Sequence, residues 1–384
     1  MSEKPISFKR KILRVVTYYL LIHLLFFTVS GLINLPILKI FSLQSILETD
    51  GSFNDLYYQM RDTMYQNSAR LSNKLVLVNT GSLKRDSFRL ELANLVKKIS
   101  NLNPKVVAID HDFNKDTSIP GTRQLIETIN QTENIILGKK DTVYLNFTYN
   151  VKFANVGFPE KQVTIRSYYS DTLTFAYQIS KKITDKEITP LKNETFFLNY
   201  IAYHNDLVTR ESGDMFDFFS MSEKQSSFLM IEADDILRND SIVIDKLKDT
   251  KDLAFLLGYL GNSKNYDPKY DIEDKFRVPY QKLGTDRDRV MPGILIHANA
   301  VENIINTENR FYCLSQNIFF IIIQQFLIIL FIYYILFNNK GKFFNVILLV
   351  FLTFPLIYFV CYLMTKNIYI EIGLTLLSFL VIEE

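Results

Sequence analysis

Two carboxylates follow an apolar run: Asp110 and Asp112 come directly after Val106-Val107-Ala108-Ile109. A second run, Leu75-Val76-Leu77-Val78, leads into Asn79 and, past Thr80-Gly81, into Ser82. If both runs are strands of a parallel sheet, all four polar residues gather beyond its carboxyl edge, where such sheets take their ligands. Together they would make a polar pocket or a cation site. The competing role for Asp110 is local, to cap a helix or satisfy loop N–H groups. Further on, Asp286-Arg287-Asp288-Arg289 alternates charge ahead of Pro292-Gly293. Asp286 and Arg287 are candidate ligand contacts there, against the alternative of a solvated salt-bridge cluster.

Other chemistries find less footing. His297 and Asn299 stand among small and apolar neighbours, which suits a hydrogen-bonded core histidine. His111 and His204 are far from it in sequence, and no second His or Cys stands at metal-ligand spacing. Neither a G-x-S-x-G elbow nor a glycine-rich phosphate loop occurs. No catalytic residue, metal or cofactor is therefore expected.

The elements that would position these residues follow from periodicity. Residues 45–73 carry apolar side chains at helical spacing. Leu75 to Asn79 reads as a buried strand, Ser87 to Leu102 as an amphipathic helix, and Val106 to Asp110 as a second strand. Strand, crossover helix and strand make a βαβ unit and hence a parallel sheet. A helix over Gly121 to Gln131 and a strand over Ile135 to Gly138 extend it. Short alternating runs at Val143 to Tyr149, Lys152 to Val156 and Val163 to Tyr168 predict antiparallel strands. Beyond them come a helix over Thr172 to Ile183 and a strand over Phe196 to Tyr200. A strand and short turn follow over Phe228 to Leu237, then an apolar strand over Leu253 to Leu260. Pro292 opens a last helix, Ile294 to Asn306, since proline tolerates a helix start.

Flanking this domain, lipid-compatible segments sit at both ends. A spanning helix needs about 20 apolar residues. Residues 12–33, 318–337 and 343–364 meet that length, and 368–384 is a shorter fourth span. Lys4, Lys9, Arg10, Lys11 and Arg14 crowd the first span, and Lys340 and Lys342 fill the loop between the second and third. The positive-inside bias puts both in the cytoplasm, together with the tail 1–11. The domain over 36–314 then lies outside, with both termini cytoplasmic. His23, Gln324, Gln325 and Glu371 are the polar groups within spans, expected to pair between helices rather than to line an ion path.

With a net charge of +2 spread among acidic neighbours, no nucleic-acid surface is expected. The two cysteines, Cys313 and Cys361, give the domain before them no disulfide framework. Abundant Phe, Ile, Asn, Lys and Tyr with no Trp reads as the composition of an AT-rich bacterial genome.

Seven strings in order bear a family likeness: Asp55-Leu56-Tyr57-Tyr58-Gln59-Met60-Arg61, Leu75-Val76-Leu77-Val78 with Ser82-Leu83, Pro104-Lys105-Val106-Val107-Ala108-Ile109-Asp110, Phe197-Leu198-Asn199-Tyr200, Ala233-Asp234-Asp235-Ile236-Leu237, Leu247-Lys248-Asp249 before Phe255-Leu256-Leu257-Gly258, and Met291 through Ala300. Over about Ser45 to Arg310 the chain resembles the CHASE2 family of extracytoplasmic bacterial sensor domains, and the three C-terminal spans match that family's arrangement. Asn79 stands where the family commonly has an acid. The resemblance implies a sensory input module, usually fused to a cytoplasmic kinase or cyclase, and here no such module follows the last span. The expectation is therefore an inner-membrane sensor or receptor subunit that signals through a separate effector protein, with self-association open. The alternative is a structural or anchoring subunit of a membrane complex. A polar pocket near Asn79 and Asp110 would favour sensing, and exposed apolar surface on the domain would favour anchoring.

Overall fold

A computed structural model describes mainly residues 9–20, 74–113, 116–140, 151–159, 167–184, 195–201, 228–249, 252–261, 274–278, 290–306 and 310–313, with scattered positions elsewhere. The chain divides into two units, one of residues 66–310 and one of 1–65 with 311–384.

Within 66–310 the strands are β1 (Leu75–Asn79), β2 (Val106–Ile109), β3 (Ile135–Lys139), β4 (Lys152–Asn155), β5 (Ser167–Tyr169), β6 (Thr195–Phe197), β7 (Leu229–Glu232), β8 (Ala254–Gly258), β9 (Lys275–Arg277) and β10 (Val290–Pro292). The helices are α1 (Phe88–Ser100), α2 (Thr122–Gln131), α3 (Phe175–Thr184), α4 (Ala233–Leu237), α5 (Ser241–Asp249) and α6 (Gly293–Ile305). Six strands form one sheet in the order β4-β3-β2-β8-β1-β7, and every neighbouring pair is parallel. The inner strands β1, β2 and β8 are buried along their whole length. That explains their continuous Val, Ile and Leu runs, since a sheet covered on both faces has no side for polar residues.

Alternate strand residues part to opposite faces. Val76, Val78, Val107, Ile109, Phe255 and Leu257 enter one core with Leu92, Leu95, Val96 and Ile99 of α1, Leu125 and Ile129 of α2, and Ile236, Val243 and Leu247 of α4 and α5. Their sequence neighbours Leu77, Ala108 and Leu256 are equally buried on the other face, where α3 lies on β2, β3 and β4, and α6 lies on β8 and α3.

The predicted βαβ unit is present, and two antiparallel pairs, β5 with β6 and β9 with β10, stand beside the sheet. The expected antiparallel strand over 152–156 is corrected: β4 runs parallel to β3. The connection 140–151 has the dozen-residue length a crossover requires, whereas an antiparallel neighbour would follow a tight turn. The segment after β7 is a helix rather than a turn, and α5 was not foreseen. The helix expected over 45–73 lies outside the described residues.

In the other unit, residues 9–20 are helical, and β11 (Tyr312–Cys313) pairs in parallel with β12 (Ile368–Tyr369). The pairing places a short strand at the start of the segment expected as the fourth span. No helix among the described residues is long and apolar enough to cross a membrane. The four expected spans fall largely outside the described residues.

Unlike the other helices, α6 is buried on nearly every side, from Gly293 to Ile304. An all-buried helix would normally be apolar throughout, yet this one carries His297, Asn299, Glu302 and Asn303. The two asparagines replace a missing strand. Asn303 Oδ1 accepts from the Asn199 N–H at 3.0 Å, and its Nδ2 donates to the Asn199 carbonyl at 2.9 Å. Asn299 Oδ1 accepts from the Ile201 N–H at 2.9 Å. The chain leaving β6 thus finds helix side chains where a sheet would have offered backbone. We expect Asn303→Leu, which keeps the volume and removes both bonds to Asn199, to lower unfolding free energy by about 2–4 kcal/mol, measured by urea denaturation of the detergent-solubilised protein.

Candidate functional site

The carboxyl ends of β1, β2, β3 and β8 open onto a cavity of about 470 Å³. Thr80, Arg85, Asp110, His111, Asp112, Lys140 and Asp274 bring the polar groups, and Phe88 and Tyr259 bring rings. This is the edge at which a parallel sheet presents diverging loops. Gly138 keeps the wall of β3 low: a Cβ there would stand 2.7 Å from Val156 Cγ1 and 3.2 Å from Asp110 Oδ1.

Asp110 sits at the bottom, its side chain 12 % exposed. Burial first, and the neighbouring Asp274 second, push its carboxyl up to about 8, so the proton is held at neutral pH. Beneath it lies His297, pushed down to about 3 by burial. The imidazole stacks on Phe158 with centroids 5.0 Å apart and meets the edge of Phe175 at 5.2 Å. Its Nδ1 is 2.7 Å from the Tyr168 hydroxyl, which also accepts from the Ala176 N–H at 3.4 Å. We assign the hydroxyl proton to the bond with Nδ1 on that basis. The ring proton then rests on Nε2, 3.7 Å from Asp110 Oδ2. That is beyond hydrogen-bond reach.

Asp274, at the rim, meets α6 from its N-terminal end, with its backbone carbonyl accepting from Gly293 N–H at 3.1 Å. Its carboxyl is raised to about 6 by desolvation, moderated by Lys140 and by the Gly293 N–H. His111 closes another wall. Its Nε2 is 2.8 Å from Thr80 Oγ1, its ring meets Phe88 edge-on at 5.0 Å, and burial lowers it to about 4.

Of the residues singled out from sequence, Asp110 and Asp112 both face the cavity, Asp112 on its exposed side. Asn79 is buried and holds the sheet edge together instead. Its Oδ1 accepts from Gly81 N–H and Leu260 N–H, each at 3.0 Å. Its Nδ2 donates to Glu232 Oε1 at 3.0 Å and to the Gly261 carbonyl at 2.9 Å. With both lone pairs and both protons engaged, Asn79 joins the ends of β1, β7 and β8. An aspartate would turn the two donated bonds into contacts between oxygens, which accounts for an amide here. Gly81 is required by the same closeness, because a Cβ would run into the Gly261 carbonyl oxygen. Ser82 does not line the cavity, and its Oγ is buried with no hydrogen-bond partner among the described residues. Asp286, Arg287, His204, His23, Gln324, Gln325 and Glu371 lie outside the described residues.

Lys140, His111 and Asp274 were not singled out. Asp274 lies within the long polar stretch 262–288, whose length was its only signal. His111 and Lys140 follow directly on β2 and β3, so their position just past a strand end was the available clue.

The pH dependence of stability follows in sign. Because its folded carboxyl titrates near 8, Asp110 holds a proton that the unfolded chain releases near its ordinary value, so stability falls as pH rises between the two. His111 and His297 are depressed and act oppositely: protonation of the unfolded chain removes stability as pH drops below about 6.5. Between about pH 6.5 and 8 Asp110 dominates. We expect a loss on the order of 1–2 kcal/mol across that interval, absent in Asp110→Asn, as read by thermal melts at fixed ionic strength.

No curated protein and no solved structure matches the chain. The family profile of the CHASE2 domain matches residues 27–336. The match covers most of the chain, including every strand of the sheet and the whole cavity, and the chain is a member of the CHASE2 domain family of sensor domains.

Proposed function

We propose that this chain is a membrane-anchored sensor subunit, that its cue binds in the cavity beyond β1, β2, β3 and β8, and that output passes to a separate partner protein. The observation that carries the reading is the cavity's floor. Asp110 lies over His297 of α6, and Asp274 is bonded to the first residue of α6. A ligand that discriminates between two positions of these carboxyls therefore acts on the one helix that touches β8, α3 and the 199–201 segment. That differential contact is what a ligand-driven shift needs.

The described part of the domain surface supports sensing over anchoring. Among its described residues only Leu90 and Leu173 are large exposed apolar side chains, and these two make no apolar patch of docking size. The other unit is different: Ile12, Leu13, Val16, Leu20, Ile322, Ile323, Phe326 and Leu330 are exposed. Such side chains suit a lipid surface. The parallel β11–β12 pairing also supports the proposed topology. A second and a fourth span that both enter the membrane from outside run in the same direction, so strands at their outer ends would pair in parallel.

Topology tests the reading first. Alkaline phosphatase fused after Phe153 is expected to be active and a cytoplasmic reporter fused there silent, with the opposite pattern for fusions in the loop at Lys340. A cytosolic Phe153 would defeat the proposal. Purification from native membranes with a signalling enzyme attached is the expected result on the output side.

A further inference from the structure

We propose that the cavity is an ammonium site, in which a small amine-bearing ligand places its –NH3+ between Asp110 and Asp274. The inference deepens the sensor reading and rests on it. Its geometric basis is the state of Asp110. The carboxyl faces the cavity, makes no hydrogen bond to any described residue, and finds the nearest ring proton too far away at 3.7 Å. A buried carboxyl left in that condition is costly to ionise, and the neighbouring Asp274 raises that cost. An ammonium supplies three donors and one positive charge, which answers both deficits at once. A neutral polyol offers hydrogen bonds but no charge to balance the two carboxyls once they ionise. An anion would meet three carboxyls, Asp110, Asp112 and Asp274, against two cations, Arg85 and Lys140. Phe88 and Tyr259 offer apolar surface for a carbon chain, and the volume suits a small molecule.

Proton linkage accompanies such a site. The groups facing Asp110 are Asp274 ahead of β9, His297 of α6, Tyr168 of β5, and Arg85, His111, Asp112 and Lys140 at the cavity wall. Both histidines are held neutral by burial. The two carboxyls therefore carry the exchangeable protons near neutrality. An ammonium that enters between them expels a proton, so amine affinity rises as pH climbs from about 6 toward 8.

The test uses the full chain in detergent micelles and titration calorimetry with putrescine, glycine and ethanolamine, against 1,4-butanediol, acetate and Mg2+. Expected is binding of at least one amine, with proton release seen as a buffer-dependent heat. Affinity is expected to fall at least tenfold in Asp110→Asn and in Asp274→Asn, and not in Asp245→Asn on α5. The three amines separate a polyamine, an amino-acid and a headgroup-like source. Asparagine mimics the protonated carboxyl, so Asp110→Asn is expected to stay folded; if it does not, Asp274→Asn at the rim decides. The assignment is overturned if no amine binds, if butanediol or Mg2+ binds as well as the amines, or if the asparagine variants bind amines unchanged. Gly138→Val, which intrudes on the cavity wall, separates the two levels. Should acetate or butanediol bind the wild type and not Gly138→Val, the cavity stands as the ligand site and the ammonium assignment falls. If Gly138→Val alters no binding, both fall.

Discussion

A helix with almost no solvent face must draw hydrogen-bond partners from the chain around it, and α6 does so by acting as a hub. Asn303 and Asn299 stand in for a strand opposite residues 199–201. His297 ties it to Tyr168 and hence to the start of α3. Arg310 reaches back to the carbonyls of Asn303 and Ile304 at its end. In a water-poor interior each such bond is hard to exchange for another. The packing of α3, β6 and the antiparallel pairs against the sheet thus depends on where this one helix sits.

The site inherits its character from the same helix. Burial over α6 keeps His297 neutral and leaves Asp110 without a countercharge. The acid and the imidazole face each other at 3.7 Å and neither can ionise cheaply. Such pairs hold their charge balance only while the interior is closed, which makes the edge responsive to whatever enters it. Asn79 at the end of β1 provides the contrast: fully bonded, it has no chemistry left to offer.

Much of the parallel sheet was legible because buried strands are written as unbroken apolar runs, and Leu75–Asn79, Val106–Ile109 and Ala254–Gly258 all show it. The strand at 152–155 was misread because an edge strand alternates in polarity whichever way its neighbour runs. Helix α5 escaped notice since its polar face resembles a loop. Asp110 and Asp112 could be placed because their side of the sheet follows from strand direction alone. Asn79 shares that position yet turns inward, and nothing in its sequence neighbourhood reveals the Leu260 and Gly261 groups it meets, which lie far along the chain. The asparagines of α6 were hidden in the same way.

The strand order holds a consequence for biogenesis. β8, built from residues near 255, lies between β1 and β2, which are made far earlier. Until β8 arrives, those two strands each carry an open hydrogen-bonding margin, and the late α6 has not yet covered the sheet. Non-local closure of this kind is slow and leaves adhesive surface showing meanwhile. A chain halted before residue 254 would emerge as two fragments of sheet with a slot between them, in need of a holding chaperone rather than ready to fold.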